Sequence, residues 1–294
     1  MLSLLANAPA LVPSWDGLCA SRHQDFLTEH WQKRPLLIRG LLSPEEVEAL
    51  CPLTPDELVD LAGDADVCSR LVLETGGAQP WELRHGPFEP DVLDLMGGGP
   101  CSLLVQQVDQ LVPEVGRLRE RFDFVPRWRT DDVMVSFAPP GGSVGAHLDN
   151  YDVFLLQGAG ERRWSIEGTP RAAGDEALRE GPQVRVLEEF APTDEWLLRP
   201  GDALYLPPRY AHHGVSEHAE CVTYSNPHPH HSPLTTQPSP LNLHLSTFTL
   251  TLTLTPHPHP HPHPNPSQVR HLLGRLPSAV ARRAATRPCR ARRA

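Results

Sequence analysis

From residue 131 onward the chain divides its apolar residues into short runs separated by glycine and proline turns. The runs are Val133 to Ala138, Asp152 to Gln157, Arg163 to Glu167, Val184 to Leu187, Glu195 to Leu198, Ala203 to Leu206 and Cys221 to Ser225. Regularly spaced short strands with such punctuation fold as a sandwich or a barrel. A further short segment around His212 to Val215 brings the count to about eight, enough to close a small barrel. Within it, Gln157-Gly158-Ala159-Gly160-Glu161 reads as a hairpin loop and Arg199-Pro200-Gly201-Asp202 as a turn.

The first hundred residues read differently. Residues 21 to 34 suggest a helix stopped by Pro35, followed by a buried strand over Leu36 to Arg39. Ser43-Pro44-Glu45-Glu46 and Thr54-Pro55-Asp56-Glu57 each combine an N-cap, a proline at the first helical position and a glutamate three residues after the cap. Strands are expected at 70 to 74, 81 to 84 and 101 to 108, a helical turn over Asp91 to Met96, and a helix over Val112 to Phe122. The fold class is therefore mainly β with flanking helices (α+β). Three segments follow: 1–100, a helical and strand region packing on the barrel; 101–226, the barrel; and 227–294, a low-complexity tail.

That tail holds 13 of the 33 prolines, nine of the 16 histidines, eight arginines and no acidic residue. Repeated proline removes backbone donors and blocks helix interiors and central strands, so disorder is expected through most of it. Ser246 to Thr255 reads as an isolated strand and Val280 to Ala294 as a short basic helix. The tail histidines His257, His259, His261 and His263 alternate with proline, which cannot preorganise a catalytic geometry. With a chain total of −10 and a tail of +8, residues 1 to 226 carry −10 − 8 = −18. An acidic body suits a basic protein partner and argues against direct nucleic acid binding.

The six cysteines are scattered, with no C-x-x-C pair, which leaves a zinc site or redox dithiol without support and fits a reducing compartment. The first residues lack a basic leader pattern, and no run approaches the roughly 18 apolar residues of a membrane span. An intracellular location with no membrane association is the expectation, the cytoplasm first, with an organelle or the nucleus left open.

His147 and Asp149 lie two apart, just after the Pro139-Pro140-Gly141-Gly142 turn, and His212 lies 65 positions on (212 − 147) after Pro207-Pro208. Two imidazoles and one carboxylate make the facial set of a non-haem iron site, with positions left open for co-substrate and oxygen. H-x-D alone arises often by chance. Its weight comes from its place at the entrance to the apolar run Val153 to Leu156, with the Pro-Pro turn returning His212 to the same mouth. Adjacent strand residues face opposite ways, so only one of His212 and His213 reaches the site. Spacing barely separates them; His212 is taken as the ligand, and His213 as a supporting hydrogen-bond partner or a surface residue. On Glu161 to Glu167, Arg162 shares parity with Trp164 and Ile166 and so points inward. A buried guanidinium needs an anion, either a dicarboxylate co-substrate or an internal carboxylate. Asn150, Tyr151 and Asp152 are placed at the mouth, for substrate contact or rim packing. Trp31, Trp81, Trp128 and Trp196 are read as core or staple residues.

Four stretches carry a resemblance: Trp31 to Ile38, Ser136 to Phe154, Gln157 to Trp164 and Pro200 to Pro208. Together they resemble the cupin-like JmjC ribosomal oxygenases, most of all the bacterial ribosomal protein arginine 3-hydroxylases. The likeness runs from about residue 30 to 225. It implies a double-stranded β-helix (cupin or jelly-roll) using Fe(II), 2-oxoglutarate and O2, and releasing succinate and CO2. It carries the metal ligands onto His147, Asp149 and His212, and the distal carboxylate of 2-oxoglutarate onto Arg162. It implies hydroxylation of an arginine or histidine of a basic ribosomal protein. Histone lysine demethylation and a catalytically silent metal-binding cupin are the competing readings. The family continues into a helical dimerisation region and a winged-helix-like domain. Residues 227–294 show a different pattern, so no dimer is read from this sequence.

Overall fold

The computed structural model describes residues 12–228, except 77–79, 90, 93–95, 97–98 and 180–183. Its elements run β1 (Ser14–Asp16), α1 (His23–Glu29), β2 (Leu36–Arg39), α2 (Pro44–Leu50), α3 (Pro55–Ala62), β3 (Ser69–Glu74), β4 (Trp81–His85) and β5 (Cys101–Val105). They continue with α4 (Val108–Leu111), α5 (Pro113–Leu118), β6 (Met134–Ala138), β7 (Asp152–Ala159), β8 (Arg162–Ile166), β9 (Asp194–Leu198), β10 (Ala203–Leu206), β11 (His212–Ser216) and β12 (Cys221–His228).

Both expected helix starts form as reciprocal capping boxes. The Ser43 hydroxyl accepts from the Glu46 N–H while Glu46 accepts from the Ser43 N–H, and Thr54 and Glu57 repeat the exchange. Each cap is worth about 1 kcal/mol. Helix α1 stops at Glu29 rather than at Pro35. Gln32 adopts a left-handed φ of +59° and donates its N–H to the Tyr205 hydroxyl at 2.8 Å. A tertiary bond thus ends the helix before the proline does. The helix expected over 112–122 is likewise divided, because Pro113 opens α5 and the last turn, Arg119–Phe122, tightens to a 3-10 helix. The strand from 101 ends at Val105. Residues 93–95 of the turn expected at Asp91 to Met96 lie outside the described residues, and the tail's proposed strand and basic helix lie wholly outside them.

Among the described residues nine strands form one sheet in the order β1-β2-β10-β7-β12-β6-β5-β3-β4, and three form a second, β11-β8-β9. An isolated antiparallel bridge between His147 and His212 adds the 147 segment beside β11. Eight segments are then shared between two facing sheets: β6, β7, β10 and β12 in the large one, and the 147 segment, β11, β8 and β9 in the small one. This is a double-stranded β-helix. Two sequence expectations change. Val184 to Leu187 is not a strand; the eighth place belongs to the segment of His147. Gln157 to Glu161 is not a hairpin loop either. β7 continues to Ala159, and the left-handed Gly160, φ +62°, carries the chain from the large sheet into the small one.

Alternation sorts the strand residues onto two cores. Phe154, Leu156, Tyr205, Val222 and Tyr224 face the helices, packing with Phe26 of α1, Leu58 of α3 and Leu118 of α5. Leu37, Val153, Leu155, Trp164, Ile166, Leu198, Leu204 and Leu206 fill the space between the sheets. Trp31 and Trp196 pack partly buried against these cores, whereas Trp128 stands 63% exposed and is not a core residue.

The helix-side core also holds polar groups. Tyr205 donates to the Asp152 carboxylate, so Asp152 is a core residue and not part of a mouth. β12 extends two residues beyond Asn226, and His228 ends it fully buried, edge-on to Phe154 and Trp31. Burial pushes the His228 imidazole from 6.5 down to about 4. The unfolded chain therefore binds this proton below pH 6.5 and the native state does not until about pH 4. Stability should fall as pH drops through that window, with a His228 share of up to about 3 kcal/mol at pH 4. In urea unfolding at pH 7, 5.5 and 4, His228→Phe should show the flatter profile; identical profiles for the two proteins would contradict this.

Candidate metal centre

The segment around His147 and the entry to β11 run antiparallel and are joined by three backbone bonds. His147 N–H donates to His212 O at 3.0 Å, His212 N–H to His147 O at 2.8 Å, and Arg209 N–H to Asp149 O at 2.7 Å. This ladder brings the distant histidine to the H-x-D motif. One potential ligand atom from each of His147, Asp149 and His212 lies within 4.8 Å of the others, the single such group of three among the described residues. His212 Nε2 is 3.7 Å from Asp149 Oδ2, and the two imidazole centroids are 4.2 Å apart.

The side chains fit a divalent metal. Nδ1 of His147 lies 2.9 Å from Gly145 O, and Nδ1 of His212 lies 2.9 Å from Tyr210 O. A carbonyl only accepts, so each Nδ1 carries the proton and each Nε2 keeps a lone pair for a ligand bond. Burial, reinforced by His147, pushes His212 down to about 4, which keeps it neutral as a ligand must be. Gly145 makes the approach possible. Its φ is +81°, and a Cβ there would meet Val186 at 2.9 Å and Trp81 at 3.0 Å. The neighbouring Ala146 O accepts from Leu187 N–H at 2.8 Å, so the β8–β9 loop closes on the same turn. The tryptophan expected to be core or staple thus sits against the ligand motif.

Arg162 is 3% exposed and points between the sheets, as its strand parity requires. Its Nε donates to Cys221 Sγ at 3.4 Å, while Nη2 is buried without a hydrogen-bond partner. The guanidinium carbon lies 5.8 Å from the Trp164 ring centroid. No carboxylate of the described residues forms an ion pair with it, so the internal ion-pair alternative has no support. A buried cation left in this state calls for an anionic guest. The same interior face carries residues that sequence reasoning did not single out. Gln157 Nε2 donates to Cys221 Sγ at 3.4 Å, and Thr223 Oγ1 donates to Gln157 Oε1 at 3.1 Å. The readable signal was parity: Gln157 follows Val153 and Leu155 at alternate positions, and Cys221 and Thr223 alternate on β12.

The remaining candidates separate. His213 faces away, edge-on to Phe190 at 6.1 Å, and so stands outside the cluster. Tyr151 packs against the inter-sheet core, and burial together with the Asp149 carboxylate raises its phenol well above the ordinary value. Asn150 accepts from Arg209 at 3.3 Å. His257, His259, His261 and His263 lie outside the described residues.

Comparison with known proteins agrees with this geometry. A profile of the JmjC domain matches residues 117–233. The chain is 40% identical over 203 residues to a probable ribosomal oxygenase of Haemophilus influenzae, covering 68% of this chain and 48% of that protein. It is 40% identical over 196 residues to the ribosomal protein uL16 3-hydroxylase of Escherichia coli, covering 65% and 48%. The structure of Escherichia coli YcfD, a ribosomal oxygenase in complex with cobalt and 2-oxoglutarate, superposes with a TM-score of 0.60 at 30% identity, covering 90% of this chain and 67% of that one. The chain spans about half the length of these curated relatives. With the double-stranded β-helix, the His-Asp-His cluster and this degree of identity together, the chain belongs to the JmjC-domain family of ribosomal oxygenases.

Proposed function

We propose that this chain holds the catalytic part of an Fe(II)- and 2-oxoglutarate-dependent protein hydroxylase acting on an arginine or histidine side chain of a ribosomal protein. The observation that carries the reading is the pairing of two features in one interior: a His-Asp-His cluster with free Nε2 lone pairs, and a buried guanidinium with an unpartnered Nη2. A metal site and an anion site side by side are what a chelating 2-oxo dicarboxylate requires. In this reading residues 101–226 form the catalytic barrel and residues 1–100 buttress it. The strong negative charge of the body attracts a basic substrate and disfavours nucleic acid. A ribosomal substrate places the protein inside the cell, in the cytoplasm. Among the described residues no helix is long and apolar enough to cross a membrane.

Bound Fe(II), with 2-oxoglutarate and O2, supplies the oxidising power for C–H hydroxylation, and the co-substrate leaves as succinate and CO2. The chain's own residues bind and orient. His147 and His212 present Nε2, their protons held at Nδ1 by Gly145 O and Tyr210 O, and Asp149 supplies the anionic ligand. Arg162 would hold the far carboxylate, with Cys221 accepting from its Nε and Gln157 bonded in turn to Cys221. Trp164, Leu155 and Val153 line the interior and exclude water, which strengthens each of these contacts.

Two outcomes test this. The wild-type chain with Fe(II) and a panel of ribosomal peptides should convert 2-oxoglutarate to succinate, and His147→Ala should fall to the rate without protein. Equal rates would leave a silent cupin. Mass spectrometry then separates the chemistries, because hydroxylation adds one oxygen to a ribosomal peptide and demethylation removes a methyl group from a histone peptide. Separately, Arg162→Gln should raise the KM for 2-oxoglutarate about 30-fold, the loss of a charge-assisted bond worth about 2 kcal/mol, with metal affinity unchanged. An unchanged KM would remove Arg162 from the co-substrate site.

A further inference from the structure

The chain enters the His212 segment through a residue whose backbone has left the ordinary region. Arg209 holds φ at +71°, a conformation that suits glycine and that an L side chain adopts only at a cost. The side chain that incurs this cost is fully engaged. A guanidinium has five N–H donors. Nε donates to Arg171 O at 3.1 Å. Nη1 donates to Asn150 Oδ1 at 3.3 Å and to Glu176 Oε1 at 3.0 Å. Nη2 donates to Ala172 O and to Glu176 Oε2. All five are used, and the pair with Glu176 is bidentate. Arg209 holds that carboxyl down at about 2, so the pair is charged at neutral pH.

The backbone of the same residue reaches two further places. Its N–H donates to Asp149 O at 2.7 Å, and its carbonyl accepts from Arg171 N–H at 2.9 Å. One residue therefore touches the segment of Asp149, leads three positions later into His212, and fastens the β8–β9 loop at Arg171, Ala172 and Glu176. The loop is tied again at Arg171, which pairs with Glu167 and donates to Glu189 O at 2.7 Å. A second closure comes from Leu187 N–H on Ala146 O.

We infer that Arg209 is a positioning residue, its strained backbone setting the Asp149–His212 register while its guanidinium locks the 171–176 loop to the same register. Its guanidinium hydrogen-bonds none of the three candidate ligand side chains. Glu176, within that loop, is its counterpart. The inference rests on reading His147, Asp149 and His212 as the metal ligands. The strain distinguishes it from a simple surface ion pair: a staple for the loop alone would need no left-handed residue at position 209.

The test uses the full chain and Co(II) as probe, with wild type, Arg209→Gly, Arg209→Lys and Glu176→Gln. Glycine accepts the backbone conformation, so Arg209→Gly removes the guanidinium without adding strain. It should bind Co(II) about 10-fold more weakly, with an altered visible absorption band, and its amides over 171–176 should exchange faster in the metal-free protein. Arg209→Lys should not rescue, because an ammonium cannot span the fork that Glu176, Asn150 and Ala172 occupy. Glu176→Gln, remote from the strained backbone, should show the same changes at smaller size. Wild-type Co(II) affinity and band in Arg209→Gly would overturn the inference. Should neither Arg209 variant fold, Glu176→Gln decides, and wild-type behaviour there overturns it. A wild type that binds no Co(II) overturns the ligand reading itself, and this inference with it.

Discussion

Three backbone hydrogen bonds between the 147–149 segment and residues 209–212 govern this site. They turn two sequence-distant histidines and a carboxylate into one cluster, and they do so without side-chain effort. A cluster assembled by side-chain packing alone would lose conformational entropy for each group it orders. Here the main chain sets the spacing, and the side chains need only one local bond each, from Nδ1 to a carbonyl two residues back. The carbonyls that orient the two imidazoles therefore belong to the local backbone.

Period-two alternation explains most of what the sequence disclosed. Arg162 could be placed inward because Trp164 and Ile166 follow at alternate positions, and the structure gives that strand a buried, intermediate, buried pattern. The capping boxes were equally legible, since Ser43, Pro44 and Glu46 need only each other. Information that depended on a partner elsewhere stayed hidden. The 145–149 segment has a single bridge to its neighbour and too short a pattern to read as a strand. The Gly160 turn has hairpin composition, yet the two strands it joins belong to different sheets, and only pairing with β9, β10, β11 and β12 decides that. Helix α1 ends early because Gln32 bonds Tyr205, 173 positions away. The choice of His212 over His213 required the register of β11 against β8.

Electrostatic reasoning separates the arginines in the same manner. Arg163, Arg171, Arg199 and Arg209 each meet a carboxylate, as expected where solvent or loop surface permits an ion pair. The exposed pairs of Arg163 and Arg199 contribute little, whereas those of Arg171 and Arg209 are largely shielded from solvent. Arg162 meets a thiol and an aromatic ring, and keeps Nη2 unpaired in the interior. Burial of a charged group without a counter-ion is costly enough that it persists only for a reason. The contrast between Arg162 and these four ion-paired arginines carries more weight than its position in a motif.

The two faces of β7 and β12 show how the interior can afford that polarity. At alternate positions these strands send Leu155, Gln157, Cys221 and Thr223 toward the site, and Phe154, Leu156, Val222 and Tyr224 into the helix-side core. The second set is close-packed: Phe154 lies 4.5 Å from Phe122 and 4.9 Å from Tyr205, centroid to centroid. A face this tightly packed resists movement of the strand, so its opposite face inherits a fixed geometry. The helices α1, α3 and α5, which touch no candidate ligand, thereby set the precision of the site. Loosening the aromatic face would reach Arg162 through Cys221, which accepts from both Gln157 and Arg162.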